Sequence, residues 1–415
     1  MRRIIRNGAI YTLGNALNAA LPLLLLPLLT HSLTPEQYSK IALFQMFVFI
    51  LSPLIGLEGV SAISRFYFEK NAQISRYIVT ALLLSVVCGI FVIALQQMFG
   101  ADVAARYDFN ESILLLSAVY CVALYPYNIC LAIVINRHQA GQYTAATLAF
   151  FCLNIALTAV FYYMSIMDEY LRIGPMLLAA VICGALSLIA LTKMSLLGGR
   201  PNAQCLSEIT RFSSPLVVHT LSGALLGMGP LLVMTNGNEL ENVAYYNIAL
   251  TLGSVIGILG VGINKAITPW LLESYERNAN VLQLYGKYAA SASLGLIAIV
   301  PLYLLIEPLI LRFNSYFIDG RHLGYAHHLK WVVVGFILNT IYLLYVNVLI
   351  CIKETGALAM YSFASSGLGI LVAYAAMSIY GAELAGAGMT IAFAALSLCV
   401  YIKSNRHITN SKMAH

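Results

Sequence analysis

Apolar residues run through this chain in long stretches that are separated by short polar segments. About twelve such stretches, each of roughly twenty residues, follow one another from Asn7 to Ile402. A bilayer core of about 30 Å needs about twenty apolar residues per helix, and in lipid each segment must satisfy its own backbone hydrogen bonds. The pattern therefore predicts an all-α, polytopic integral membrane protein. The predicted spans are 7–29, 41–62, 76–99, 112–135, 143–166, 174–196, 211–235, 244–268, 285–306, 331–352, 357–380 and 383–402.

Composition leaves little room for a domain outside the bilayer. Of the 415 residues, 60% are hydrophobic and 10% are charged, and the mean hydropathy is +0.83. A soluble domain carries about 25% charged residues. The functions that remain are movement of a molecule across the membrane, processing of a lipid within it, and sensing.

The sequence offers no sign of catalysis, of a cofactor or of a metal. It contains no phosphate-binding loop and no zinc-protease motif. Of the eight cysteines, only Cys205 lies outside the predicted spans, so we interpret the cysteines as small core residues. The spacing of His322, His327 and His328 fits no metal motif and favours a solvated loop. We therefore expect a transporter without a cofactor, and one that does not hydrolyse ATP.

The distribution of charge predicts the orientation. If the N-terminus lies inside, the inner side collects 17 of the 23 lysines and arginines. Cytoplasmic loops carry such an excess, so the pattern indicates N-in/C-in and no nucleic-acid partner. The basic residues that are predicted outside are Lys40, Arg106, Arg172, Arg312, Arg321 and Lys330.

Two short sequence matches indicate an internal repeat. Residues 38–43 (YSKIAL) resemble residues 245–250 (YYNIAL), and residues 55–60 (IGLEGV) resemble residues 256–261 (IGILGV). Chance similarity between apolar strings is the alternative interpretation. A real repeat predicts two six-helix halves in the same orientation, which enclose a central site that opens alternately to each side.

The repeat also predicts the division of the chain. A glycine- and proline-containing segment lies between the halves and is typical of a linker. The predicted parts are an N-terminal half (1–197), a cytoplasmic linker (198–210), a C-terminal half (211–402) and a cytoplasmic tail (403–415).

Polar residues within the second predicted span are the first candidates for a site. Glu58 is the only acidic residue well inside a span, and ionisable residues there are functional candidates. Ser61 and Arg65 follow at i+3 and i+7, which predicts one helical face. Lys265 occupies almost the matching place in the second half. Two basic groups near the inner side suit an anionic ligand, of which phosphate is the obvious example; the alternative is that both side chains snorkel to the lipid headgroups.

Two further predicted helices carry polar stripes. Arg211, Pro215 and His219 share one face of the seventh span, where proline bends a helix and histidine titrates near neutral pH. Asn15 and Asn18 lie on one face of the first span. Both stripes suit a water-filled cavity, but a packed histidine and ordinary hydrogen bonds between helices would leave the same pattern.

These residues resemble those of the Wzx-type polysaccharide flippases of the multidrug/oligosaccharidyl-lipid/polysaccharide (MOP) superfamily. The resemblance covers nearly the whole chain in length and in its organisation as two halves. It is carried locally by residues 33–38 (LTPEQY), 56–58 (GLE), 64–66 (SRF), 209–216 (ITRFSSPL) and 264–266 (NKA). Family members often carry an Asp-Arg pair where this chain has Gly229-Pro230, so any role of that pair does not transfer.

The resemblance implies a multi-pass protein of the bacterial inner membrane. Such a flippase moves undecaprenyl-diphosphate-linked oligosaccharides to the periplasmic leaflet for O-antigen or a related polymer, in exchange for an ion, and acts beside a polysaccharide polymerase. On this basis Arg65, Lys265, Arg211 and Arg6 would contact the diphosphate. Glu58 and His219 would couple an ion, and Asn15, Asn18 and Ser61 would line the cavity.

Two other functions fit the same pattern. A multidrug cation antiporter of the related extrusion family shares the twelve-helix plan, but it should present more acidic groups than this chain does. A membrane polymerase or glycosyltransferase typically has a long catalytic outer loop. The longest predicted outer loop, 307–330, is modest.

Overall fold

The computed structural model describes residues 20–69, 73–106, 111–278, 280–352 and 354–410. These residues form helices and connecting turns, with no β-strand among them. The helices are α1 (Ala20–Ser32), α2 (Pro35–Gly56), α3 (Gly59–Glu69), α4 (Ile74–Arg106), α5 (Ser112–Asn136), α6 (Ala140–Tyr163), α7 (Tyr170–Lys193), α8 (Ala203–Asn236), α9 (Leu240–Arg277), α10 (Val281–Asn314), α11 (Tyr325–Cys351), α12 (Thr355–Tyr380) and α13 (Ala387–Asn410).

The predicted fold class is confirmed. Eleven helices of the described residues are long and apolar enough to cross a membrane, and α1 is the described part of the first predicted span. The orientation N-in/C-in stays a prediction.

The described residues group into two compact units. Unit 1 contains residues 20–21 and 32–221, and unit 2 contains residues 22–31 and 222–410. The boundary between 221 and 222 falls within α8. Residues 203–210 of the predicted linker form the first turns of α8 rather than a loop. The assignment of the two halves as a repeat stays a prediction.

The second predicted span is not one continuous helix. It is divided into α2 and α3 at Leu57 and Glu58, whose φ angles are 43° and 51°. Thr34 begins α2 with a capping box, because its side chain accepts from the Gln37 amide while the Gln37 side chain accepts from the Thr34 amide. The matching segment of unit 2 lies within α9, which runs unbroken from Leu240 to Arg277.

The predicted outer loop 307–330 is wrong in extent. Helix α10 continues to Asn314 and α11 begins at Tyr325, so only ten residues lie between these helices.

The prediction of solvated histidines is also wrong for two of the three: His322 and His328 are completely buried. His327 is exposed and lies 3.6 Å from the Glu383 carboxylate. In the same segment, hydrogen bonds from Arg321 hold the pKa of the half-buried Asp319 carboxyl below its usual value.

Hydroxyl groups join two helices of unit 2 at regular intervals. On α13, Thr390, Ser397 and Ser404 follow one another seven residues apart. Their hydroxyls donate to the backbone carbonyls of Trp331, Leu338 and Tyr345 on α11, at 2.6, 2.7 and 3.1 Å. The constant spacing of seven matches the packing of helices that cross at a shallow angle.

Candidate functional site

The break between α2 and α3 creates the local geometry of the site in unit 1. Two consecutive residues other than glycine in the left-handed region are uncommon, and strain of this kind persists only where the surroundings impose it. Here the ring of Tyr125, from α5, packs onto Gly56 and Gly59, where any side chain would overlap it. The Tyr125 hydroxyl also donates to the Gly56 carbonyl at 3.2 Å and so satisfies a group that the helix end leaves free.

Glu58 is held at this break by groups from two helices. The Ser61 hydroxyl donates to its carboxylate oxygen Oε2 at 3.1 Å. Its backbone carbonyl accepts from the Ser61 amide at 3.0 Å and from the Ser213 hydroxyl of α8 at 3.3 Å. Glu58 is therefore not one residue of a helical stripe, as the sequence predicted, but lies at the turn that starts α3.

Glu58 and Ser61 face a cavity of about 380 Å³. The cavity lies between α2, α3, α5 and α6, within unit 1. Its polar lining comes from Ser52, Glu58, Ser61, Ser64, Asn128, Tyr125 and Tyr143. Discontinuous helices that bring a carboxylate and hydroxyls to a polar cavity are a recurrent way to hold a cation or a proton inside a membrane protein.

His219 is brought to the same region by α8. It is half-buried, and it lies within range of electrostatic interaction with the Glu58 carboxylate. Its Nδ1 is buried and meets no hydrogen-bond partner among the residues that the structure describes. The two predicted ion-coupling residues therefore lie within electrostatic range of each other, although they are 161 positions apart in the sequence.

Arg65 lies near the end of α3, two turns beyond Glu58. Its side chain is exposed, and its guanidinium carbon lies 4.8 Å from the centre of the Phe212 ring on α8. Such an arrangement of cation over aromatic face orients the guanidinium. Arg211 precedes Phe212 and is also exposed, so two of the four predicted diphosphate contacts lie at adjoining positions in unit 1.

The remaining predicted residues divide into two groups. Lys265 is exposed on α9 in unit 2, beside a hydrogen-bonded triad of Asn264, Thr268 and Asn347 that joins α9 to α11. The convergence of Lys265 with Arg65 stays a prediction. Arg6, Asn15 and Asn18 lie outside the described residues.

Sequence reasoning missed the residues from other helices that contact the break or line the cavity beside it. Tyr125, Asn128 and Ser213 lie on helices other than the one that carries Glu58, so no spacing in the sequence connects them to it. The one local signal was the pair Gly56 and Gly59 on either side of Leu57-Glu58. In the described part of the chain, no group of three or more His, Cys, Asp or Glu residues is placed to hold a metal ion.

Solved structures of membrane transporters share this fold. The fold matches an inward-facing multidrug resistance MATE family transporter of the MOP superfamily, with a TM-score of 0.72, 18% identity and coverage of 95% of this chain and 96% of that one. It also matches a MOP superfamily transporter from Pyrococcus furiosus, with a TM-score of 0.64, 18% identity and coverage of 99% and 96%. These similarities show that the chain has the fold of a MOP-superfamily membrane transporter.

Sequence comparison then shows the family. The profile of the polysaccharide biosynthesis protein family matches residues 4–275. The chain belongs to this family, and the predicted resemblance is confirmed at this level. Two relatives come from Haemophilus influenzae. The Lsg locus putative protein 1 is 23% identical over 360 residues, 84% of each chain. An uncharacterized membrane protein is 24% identical over 381 residues, 88% of each chain.

Proposed function

We propose that this protein is a flippase of the bacterial inner membrane. Its substrate is an undecaprenyl-diphosphate-linked oligosaccharide, which it moves from the cytoplasmic to the periplasmic leaflet for the synthesis of O-antigen or a related surface polysaccharide. The observation that carries the proposal is membership of the polysaccharide biosynthesis family together with a transporter fold.

The diphosphate is assigned to the basic residues. Arg65 and Arg211 are exposed beside Phe212, where a guanidinium fork can bind phosphate oxygens in pairs. We assign the matching contact in the second half to Lys265, and a further contact to Arg6. Asn15, Asn18 and Ser61 line the path of the sugars, while the polyprenyl tail stays in the lipid.

Transport is driven by an ion that exchanges at Glu58. The carboxylate faces the cavity, one of its oxygens accepts a hydrogen bond from Ser61, and His219 lies within electrostatic range. A carboxylate and an imidazole can each bind a proton, so we assign the ion exchange to this pair. In alternating access, occupation of this site by the ion favours one of the two orientations of the transporter.

The short segment between α10 and α11 supports transport rather than polymerisation. Its ten residues, of which three form a 3-10 turn, offer less chain for a catalytic loop than the sequence predicted. We propose that a separate polymerase uses the units that this protein delivers.

The test is translocation by the purified full-length protein in liposomes. A fluorescent lipid-linked oligosaccharide is added to one leaflet, and its arrival in the other leaflet is followed with a membrane-impermeant quencher. We expect movement that an imposed proton or sodium gradient accelerates and that Arg65→Gln combined with Lys265→Gln slows about tenfold or more. Failure to move this substrate, combined with gradient-driven movement of a lipophilic cation, would instead identify a multidrug antiporter.

A further inference from the structure

One buried charge in unit 1 takes no part in the proposed mechanism. Arg172, the third residue of α7, is 4% exposed. Its Nη1 donates to Oδ1 of Asn154 on α6 at 3.2 Å, and Asn154 is 1% exposed. Tyr38 and Tyr120 lie within range of electrostatic interaction with the guanidinium.

Arg172 has no counter-ion among the described residues. The acid one turn before it, Glu169, pairs instead with Lys40 at 3.7 Å. A guanidinium carries five N–H donors, and Asn154 accepts from one nitrogen. A buried charge without an opposite charge is strongly unfavourable, and in natural proteins such frustration concentrates at functional sites.

Two further features set Arg172 apart from an ordinary basic residue at a membrane surface. It lies at the N-terminal end of α7, where the helix dipole disfavours a cation. A snorkelling arginine would extend to water at the helix end. Arg172 instead contacts Asn154, which precedes the end of α6 by nine residues, or about 14 Å of helix. The guanidinium therefore points into the bundle.

We propose that Arg172 is a second binding site for an oxyanion of the transported molecule. The guanidinium binds the anion with the N–H groups that protein acceptors leave unused, and Asn154 orients it. This inference rests on the proposed function and adds a contact at the end of unit 1 remote from Arg65. By the predicted orientation this end faces the periplasm, so Arg172 would hold the substrate on the release side. The chemistry fits either the lipid-linked diphosphate or the carboxylate of an acidic sugar.

The proposal can be tested by a substitution that introduces a carboxylate beside Arg172. In Asn154→Asp, this carboxylate should occupy the position of the bound anion. Thermal unfolding of the purified full-length protein is measured with inorganic pyrophosphate or glucuronate, against chloride at equal ionic strength. We expect one of the two anions to stabilise the wild type, which identifies the source of the oxyanion. Asn154→Asp should unfold at a higher temperature without ligand and bind that anion about tenfold or more weakly.

Two further variants serve as a loss of binding and as a control. Arg172→Gln should also lose the anion, whereas Arg200→Gln, an exposed arginine in the segment before α8, should keep wild-type affinity. If Arg172→Gln does not fold, Asn154→Asp still decides. The inference is overturned if neither anion stabilises the wild type beyond chloride, or if Asn154→Asp binds with unchanged affinity.

Liposome translocation by the same wild-type protein separates the two proposals: movement of substrate without Arg172-dependent binding would leave the proposed function standing.

Discussion

Glu58 owes its position to backbone torsions rather than to helical periodicity. With φ of 51° it is turned at the start of α3 so that its carboxylate meets Ser61 and the cavity. The side chain must ionise or bind a cation for the proposed coupling to work. Its amide analogue keeps the shape and the hydrogen bond from Ser61 but removes the charge.

We therefore expect Glu58→Gln to abolish the acceleration by an ion gradient while leaving slow, gradient-independent movement. The measurement is liposome translocation with and without imposed proton and sodium gradients. Glu36→Gln is the matched control, because Glu36 is an exposed acid in the first turn of α2. Normal gradient response of Glu58→Gln under both ions would show that coupling occurs elsewhere.

Arg65 gives a second prediction at the residue scale, because its orientation depends on Phe212. A cation–π contact at an exposed site contributes about 0.5–1 kcal/mol. Phe212→Leu keeps an apolar residue on α8 but removes the aromatic face, so it should weaken binding of the substrate about two- to fivefold. In Arg65→Gln the same Phe212 change should have no further effect on the affinity measured by titration. Equal losses in both backgrounds would mean that the ring acts independently of Arg65.

At the scale of elements, the break between α2 and α3 is the feature that could not be predicted from the sequence. Apolar spans of about twenty residues located the helices, because the bilayer imposes that length. The break depends on a ring from α5 that packs onto two glycines, and no property of residues 41–62 reports what lies on another helix. The burial of His322 and His328 was missed for the same reason, since a polar segment predicts a loop but not the helices that cover it.

Strain at this break can be measured. Leu57 has a left-handed conformation that glycine adopts without penalty. Leu57→Gly should therefore stabilise the folded state by about 1–3 kcal/mol. Of this stabilisation, about 0.5–1 kcal/mol is lost because glycine gives the unfolded chain more conformational freedom. Leu54, within α2 and also half-buried, is the control. Leu54→Gly should cost about 1 kcal/mol. We expect Leu57→Gly to unfold at a higher temperature than Leu54→Gly; the reverse order would show that the break is not strained.

The three hydrogen bonds from hydroxyl groups of α13 to carbonyl groups of α11 should each contribute to the stability of the protein. Interhelical hydrogen bonds in membranes contribute about 0.6 kcal/mol on average. Thr390→Val, Ser397→Ala and Ser404→Ala should each lower the unfolding free energy by about that amount, and the triple variant by roughly the sum. Ser366→Ala is the control, because the Ser366 hydroxyl donates to the carbonyl of Phe363 within its own helix. A triple variant as stable as the control would indicate that packing alone joins the two helices.

At the scale of the whole molecule, the distribution of charge and the number of helices support each other. Eleven helices of the described residues are long and apolar enough to cross a membrane, and with the first predicted span they would give twelve crossings and both termini on the same side. An error of one helix would mix the inner and outer loops and remove the basic asymmetry of 17 among 23. The charge pattern therefore makes a prediction for the whole chain that the helices alone do not.

That prediction is N-in/C-in. A fluorescent protein that matures only in the cytoplasm should be bright when it follows the C-terminal residue. Alkaline phosphatase, which is active only outside, should be active when fused at Asp168, between α6 and α7, and inactive when fused at Arg200, between α7 and α8. The two fusion sites are separated by α7 alone, so they must give opposite results if that helix crosses the membrane. The opposite result at all three sites would show that the protein has the inverse orientation in the membrane. Arg172 would then lie at the side where the substrate enters, and Arg65 at the side where it leaves.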